Sequence, residues 1–371
     1  MDFTYDEAES AVAELARKIF TDRVTPDTLR AFEQSGATHD AKLWGELAAA
    51  GLVGTALPED QGGSGHGLVA LLALLVEVGA SLAPVPVWST LVASALPIAQ
   101  FGSPSQRALL GRVAQGEALT TAAFVDEASD DPWEPATRAT PEGNGFRVSG
   151  VKTCVALADE AARVLVTARA PSGRAVLLLV DPRAAGVRLE EQRATTGERL
   201  SRMTLTDALV PEADVLAGED RGDAALAWTL DRALVGLCAL ELGVVERALR
   251  MTAAYATTRH QFDRPIGTFQ AVSQRAGDAY IDVEVVRLSL WHAAYRLAAG
   301  LPASREVLIA KWAAADAGHR VVYAAQHLHG GMGFDRDYPL HRYYLASKHV
   351  ELLLGSASRQ LARLGASLAE A

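Results

Sequence analysis

Cysteine is almost missing from this 371-residue chain: Cys154 and Cys238 are the two present, with no C-x-x-C and no His/Cys grouping at metal-ligand spacing. That excludes a disulfide framework and a structural zinc site, and it makes a reducing cytoplasm the simplest compartment. Positive charge is short as well. The formal net charge is -10 and the pI about 5.4, which argues against a nucleic-acid surface and requires any phosphate ligand to be held by local cations. Long apolar runs are absent too. The longest, GLVALLALLV from Gly67 to Val76, is cut by Glu77 and Gly79; it falls short of a bilayer span and reads as a buried core helix. The opening MDFTYDEAESAVAELARKIF is acidic and amphipathic, without the basic start and apolar centre of a signal peptide. No G-x-G-x-x-G follows a strand-like run, and there is no internal repeat or low-complexity linker.

What is present is 49% hydrophobic and 22% charged, a globular composition long enough for two or three subdomains. Three stretches differ in periodicity. From residue 1 to 118 apolar residues recur at helical spacing (Ala11, Leu15, Ile19; Leu43, Leu47, Leu52), broken at Pro26, Gly51 and Pro84-Pro86. From 119 to 220 the chain turns to short runs rich in valine, threonine and leucine: FRVSGV, KTCVAL, ARVLVTAR, AVLLLVD, VRLEE and MTLTDALV. Without helices between them, these runs predict an antiparallel sheet or small barrel and argue against a Rossmann unit. From 221 to 371 helical spacing returns in segments 224–258, 269–299, 304–329 and 338–368. Long helices with short connections predict a bundle. Their alanine suits close packing, including between subunits, and is also the best helix former.

Two strings carry chemistry: YATTRHQFDRPIGTFQ from Tyr255, and HLHGGMGFDRDYPLHRYY from His327. Arg259 ends a helical stretch, Pro265 and Gly267 impose a loop, and Thr268 is placed to cap the next helix. The guanidinium offers a planar fork suited to a pyrophosphate, and Gly330-Gly331 lets backbone approach a ligand closely. Together they read as a dinucleotide site.

These strings resemble signature stretches of the flavin-dependent acyl-CoA dehydrogenases. LWGELAAAGLVGTALPEDQGG from Leu43 and LVPEADVLAG from Leu209 extend the resemblance over nearly the whole chain. It implies an α+β fold: an N-terminal helical domain, a middle β-sheet or barrel domain, and a C-terminal four-helix bundle. It implies FAD held with Arg259, Gln261, Phe262, Phe269, Gln270, His327, Gly330 and Gly331, an acyl-CoA substrate and an electron-transfer acceptor. The family reaction removes a proton alpha to the thioester carbonyl while the beta hydrogen leaves as hydride, and it needs a carboxylate base in a dry pocket.

That base is missing where the resemblance places it. The usual Y-E-G-T-S string reads LLLGSAS here, with Leu354 before Gly355, and a second family location falls at or near Ala233. Two nearby carboxylates remain. Glu241 shares a helical face with Leu230, Leu234 and Leu237, so it is a displaced base or a buried ion pair; Glu351 is a displaced base or packs against Arg342 or Lys348. Asp231 is a weaker candidate. The flavin-facing strands depart too: FVDEASDD stands for T-E-P-x-A-G-S-D, and Cys154-Val155-Ala156-Leu157-Ala158 for a W-I-T-N-G-like strand, with Ala156 in place of a threonine. The losses fall on groups that a family subunit offers its own flavin and substrate, while Arg259, Phe262, Gln270, Gly330 and Gly331 match groups offered to a neighbour's FAD. The pattern resembles a non-catalytic subunit of the bacterial α2β2 heterotetramers that degrade steroid side chains, which implies lipid or steroid catabolism. Two other readings stay open: a catalytic homotetramer using Glu241, and a flavin-free scaffold subunit.

Overall fold

The computed structural model describes residues 3–369, and the chain divides into two compact units that interleave in sequence. One comprises Met1–Arg30, Leu72–Ala83 and Leu234–Ala371, the other Ala31–Leu71 and Pro84–Ala233.

The second unit is built on a sheet. Its strands are β1 (Thr120–Ala123), β2 (Arg138–Glu142), β3 (Gly145–Ala156), β4 (Arg163–Arg169), β5 (Ala175–Val180), β6 (Val187–Arg193), β7 (Arg199–Val210) and β8 (Val215–Ala217). They run in the order β6-β7-β3-β2-β4-β5-β8, with β1 beside β4. The sheet is open and mixed rather than closed or wholly antiparallel: β1 and β2 each pair with β4 in parallel. Every residue of β5 is buried, which explains its unbroken apolar run. The edge strand β6 instead carries Arg188, Glu190, Glu191 and Arg193, charges that discourage edge-to-edge pairing. The runs FRVSGV and KTCVAL, two by sequence, are one strand, β3, whose pairing with β7 shifts register at Val148/Gly150 and at Lys152/Val155. Gly150 permits this, since a Cβ there would lie 2.4 Å from the Thr137 hydroxyl.

Beneath β3 lies a buried ion pair. Lys152 Nζ is 2.8 Å from Asp126 Oδ2 and 3.2 Å from Thr167 Oγ1. Asp126 also accepts from the Ala136 N–H at 3.0 Å, the Thr137 N–H at 3.1 Å and the Thr137 hydroxyl. Burial pushes the Lys152 ammonium down to about 8, and Asp126 opposes that shift. The helices of this unit include α3 (Ala41–Ala49), α5 (Leu96–Phe101) and α6 (Pro104–Ala114), while α2 (Pro26–Ser35) spans the boundary at Arg30/Ala31. Before α5 the buried segment Val87–Ala95 is a π-helix, a rare form that often marks a functional region.

The first unit is helical. Helix α1 (Glu7–Arg23) opens on a capping box between Asp6 and Glu9, and α4 (Gly67–Ser81) is the apolar core helix the sequence predicts. Helix α7 (Gly222–Thr258) enters this unit at Leu234 and meets α4 backbone to backbone. A Cβ on Gly79 would lie 2.1 Å from the Leu240 carbonyl oxygen, and one on Gly243 2.0 Å from that of Val76. Helices α8 (Gln270–Ala298) and α9 (Ser304–His329) follow, with the alanine-rich face of α9 buried.

The last predicted helix is broken in two, α10 (Leu340–Leu352) and α11 (Ala357–Ala369). Leu354 and Gly355 take left-handed φ values of 58° and 102°. A buried cation stabilises the break: Lys311 Nζ on α9 donates to the carbonyls of Val350 (2.9 Å), Glu351 (3.1 Å) and Gly355 (3.3 Å). Gln360 Nε2 donates to those of Leu354 and Gly355. The carbonyls orphaned at the end of α10 are thus satisfied by Lys311, distant in sequence, and those of the following loop also by Gln360 of α11. Thr268 also departs from expectation: its hydroxyl donates to the Pro265 carbonyl at 2.7 Å, and α8 begins after Phe269 with no side-chain cap.

Asp126→Ala would leave a buried ammonium unpaired, at a cost of about 3–5 kcal/mol. The variant should unfold at markedly lower urea than the parent, and the double variant Asp126→Ala/Lys152→Met should recover part of the loss; equal midpoints for parent and Asp126→Ala would contradict the pair's structural role.

Candidate cofactor site

Helix α7 ends at Thr258, and Arg259 follows at an exposed corner, its N–H donating to the Tyr255 carbonyl at 2.8 Å. Among the described residues its guanidinium makes no ion pair or hydrogen bond. The chain then forms a tight hairpin, β9 (His260–Gln261) with β10 (Arg264–Pro265). Phe262 and Asp263 occupy its tip at positive φ, and Phe262 is 87% exposed. Phe269 meets Phe262 edge-to-face at 6.1 Å, and the Arg264 guanidinium lies 4.2 Å over the Phe269 ring. Gln261 and Gln270 are exposed on the same corner.

The second part of the site closes α9. His327 is exposed on its last turn. Gly330 follows with φ 58° and ψ -132°, a conformation that a Cβ would strain. A Cβ added to Gly330 or Gly331 would meet nothing within 4 Å, so the turn presents bare backbone to open space. The two parts adjoin: Tyr255, one turn before Arg259, stacks on His329, the residue before Gly330, with ring centroids 4.4 Å apart. An unpartnered guanidinium next to an exposed glycine turn, on a chain of net charge -10, fits the pyrophosphate and backbone contacts of a dinucleotide such as FAD.

No carboxylate stands at either expected base position. Leu354 is 2% exposed within the loop held by Lys311 and Gln360. Ala233 is fully buried, and its carbonyl accepts from Trp88 Nε1 at 2.9 Å.

Glu241 is fully buried, but it is not the ion pair that its apolar face suggested. No cation lies within ion-pair distance among the described residues. Its Oε1 accepts from the Ser347 hydroxyl at 2.6 Å, and Oε2 has no partner. Gly318 makes room for it, since a Cβ there would lie 2.3 Å from Oε1. Burial pushes the carboxyl up to about 7, opposed by the Ser347 hydrogen bond and the charge of Lys311. Lys311 is itself pushed down to about 8 by burial. Both shifts reduce the charge carried in the core. Glu351 pairs with Lys348 at 2.5 Å, beside His319. Asp231, about three turns before Glu241 on α7, is half-buried.

On the sheet side, Asp126 of the FVDEASDD segment is committed to Lys152. Cys154 and Leu157 take φ values of 56° and 57° around a strand bulge. Non-glycine residues held there cost about 1–3 kcal/mol each. Sequence reasoning missed three contributors to this chemistry: Lys311, Ser347 and His329. A lysine and a serine inside alanine- and leucine-rich helical stretches were the available signal for the first two, and a histidine directly before Gly-Gly for the third.

Fold and corner define a family. The sequence model of the acyl-CoA dehydrogenase N-terminal domain matches residues 6–117, and that of the C-terminal domain residues 220–369. The chain belongs to the acyl-CoA dehydrogenases, oxidoreductases that act on the CH-CH bond of an acyl-CoA. Among its relatives, Acyl-CoA dehydrogenase FadE27 of Mycobacterium tuberculosis (strain ATCC 25618 / H37Rv) is 40% identical over 382 residues, covering 100% of this chain and 99% of its own. A solved structure of a variant of the Tcur3481-Tcur3483 steroid ACAD superposes with a TM-score of 0.93 at 44% identity, covering 98% of each chain. The ChsE4-ChsE5 complex from Mycobacterium tuberculosis gives a TM-score of 0.94 at 39% identity, covering 100% of each.

The Glu241 environment fixes how stability should depend on pH. The folded chain holds this proton up to about 7, whereas an ordinary carboxyl loses it near 4.5. The folded state therefore binds more protons between those values; the stabilisation is fully present below about 4.5 and is lost as pH rises through about 7. Glu241→Gln removes the titration. Between about pH 4.5 and 8 the parent should lose on the order of 3 kcal/mol of stability relative to this variant, whose profile in urea unfolding is flatter. A parent that gains stability over that range relative to the variant would contradict the assignment.

Proposed function

We propose that this chain is the non-catalytic subunit of a heterotetrameric acyl-CoA dehydrogenase: it contributes a half-site to FAD, and a homologous partner bears the base. The observation that carries this reading is the contrast within one chain. The arginine corner and glycine turn are intact and unencumbered, while leucine and alanine occupy both base positions. Arg259 would hold the pyrophosphate, Gly330 and Gly331 would admit it against backbone, and Gln261, Phe262, Phe269, Gln270 and His327 would line the approach. FAD, when bound, supplies the acceptor for the beta hydride. The alpha proton goes to the partner's carboxylate.

Glu241 is a poor substitute for that base. It is enclosed by Gly318, Ser347 and the apolar face of α7, with no exposed atom through which a thioester could be reached. The relatives described as the Tcur3481-Tcur3483 steroid ACAD and as a ChsE4-ChsE5 complex support an assembly of two chain types and a bulky lipid or steroid acyl-CoA as substrate; we take that assembly as α2β2. Cytoplasmic lipid catabolism is the setting we assign; separately, no helix among the described residues is long and apolar enough to cross a membrane. Its domains are taken as 1–118, 119–220 and 221–371, with reoxidation by an electron-transfer acceptor.

The test uses the complex with its base-bearing homologue. Glu241→Gln should keep turnover within about threefold of the parent, and Arg259→Ala should lower the flavin content of the complex. Turnover lost by more than about a hundredfold in a folded Glu241→Gln complex would instead establish a displaced base. Unchanged flavin content in Arg259→Ala would establish a scaffold that does not touch the cofactor.

A further inference from the structure

The two parts of the proposed FAD half-site lie on different helices, about seventy residues apart in sequence, and three side chains join them. The Tyr255 ring and the His329 imidazole are stacked, inclined by 23°. His329 is nearly fully buried and tied at both nitrogens: Nδ1 is 2.8 Å from the Ala325 carbonyl oxygen and Nε2 is 3.0 Å from the Tyr338 hydroxyl. A carbonyl only accepts, so Nδ1 carries the hydrogen. In the neutral ring, Nε2 then accepts from the Tyr338 O–H. Burial, by holding the imidazole below its ordinary pKa, favours that form. The Tyr338 ring lies 5.2 Å from His329 and 6.4 Å from Tyr255. Two members border the site directly, Tyr255 one turn before Arg259 and His329 just before Gly330, and Tyr338 leads into α10.

We infer that His329 is a positioning residue that sets the register between the arginine corner and the glycine turn, so that both engage one dinucleotide. The inference rests on the reading that this face receives FAD. Stacking alone would not require histidine, because phenylalanine stacks equally well. Histidine adds two directed hydrogen bonds, one along α9 and one across to Tyr338, and these stop the ring from sliding over Tyr255. A displacement of about 1 Å between guanidinium and glycine turn suffices to degrade such a two-point contact.

The experiment measures FAD dissociation from the complex with the homologous partner, by flavin fluorescence, for the parent, Arg259→Ala, His329→Phe, Tyr338→Phe and the double variant Arg259→Ala/His329→Phe. His329→Phe keeps the stack and should weaken FAD binding about tenfold. Tyr338→Phe, a single-hydroxyl deletion that preserves the fold, should weaken it about threefold to fivefold. Because His329 acts through Arg259, the double variant should bind FAD about as weakly as Arg259→Ala alone. His329→Gln, with one amide donor and one acceptor, should recover part of the affinity. If Arg259→Ala weakens binding while His329→Phe and Tyr338→Phe remain within twofold of the parent, or if the two single losses multiply in the double variant, the positioning role is wrong and the half-site stands. If Arg259→Ala itself leaves FAD binding unchanged, the half-site and this inference fall together.

Discussion

Close helix packing around α7 is the constraint on which the helical unit depends. Gly79 and Gly243 let α4 and α7 touch backbone to backbone, and Gly318 lets α9 approach the Glu241 side chain. Any larger residue at the first two positions would collide with a carbonyl. The contact anchors α7 over the stretch from Leu240 to Gly243. From there, about four turns of regular helix lead to Tyr255 and Arg259. The cation at the corner is therefore placed by the core rather than by its own loop.

The same packing explains the unusual chemistry of the interior. Glu241 and Lys311 both lie in the bundle core, yet neither pairs directly with the other. Glu241 spends one oxygen on Ser347, and Lys311 spends its donors on the carbonyls at the end of α10. Each is pushed toward neutrality by burial. A raised carboxyl pKa is what a catalytic base needs, but here it accompanies complete enclosure, so it reports desolvation rather than access to substrate. Lys311 has a second consequence: it secures the loop that carries Leu354.

Much of the architecture was legible from residues. The spacing of Ala11, Leu15 and Ile19, the breaks at Pro26 and Gly51, and the valine-rich runs after residue 119 located helices and strands in the right order. The arginine corner and glycine turn were readable because Pro265, Gly267 and Gly330 have strong backbone preferences of their own. What was hidden depends on partners distant in the chain. The interruption at Leu354 has no proline to announce it and exists because Lys311 and Gln360 satisfy the carbonyls there. The fusion of FRVSGV and KTCVAL into β3 depends on strand bulges against β7. The π-helix at Val87–Ala95 differs from an α-helix in hydrogen-bond register, to which an apolar pattern is blind. The Tyr255–His329–Tyr338 cluster required two helix ends to meet.

We propose that one half of a flavin site is kept in this chain and the other half is lost. This is tested most directly by the visible absorption spectrum and solution mass of this chain purified alone from flavin-replete cells, beside the same chain co-expressed with a base-bearing homologue. The chain alone should carry little or no flavin, and co-expression should give a tetramer of two chain types with flavin bound. About one FAD per chain in a tetramer of this chain alone would show a complete site and contradict it.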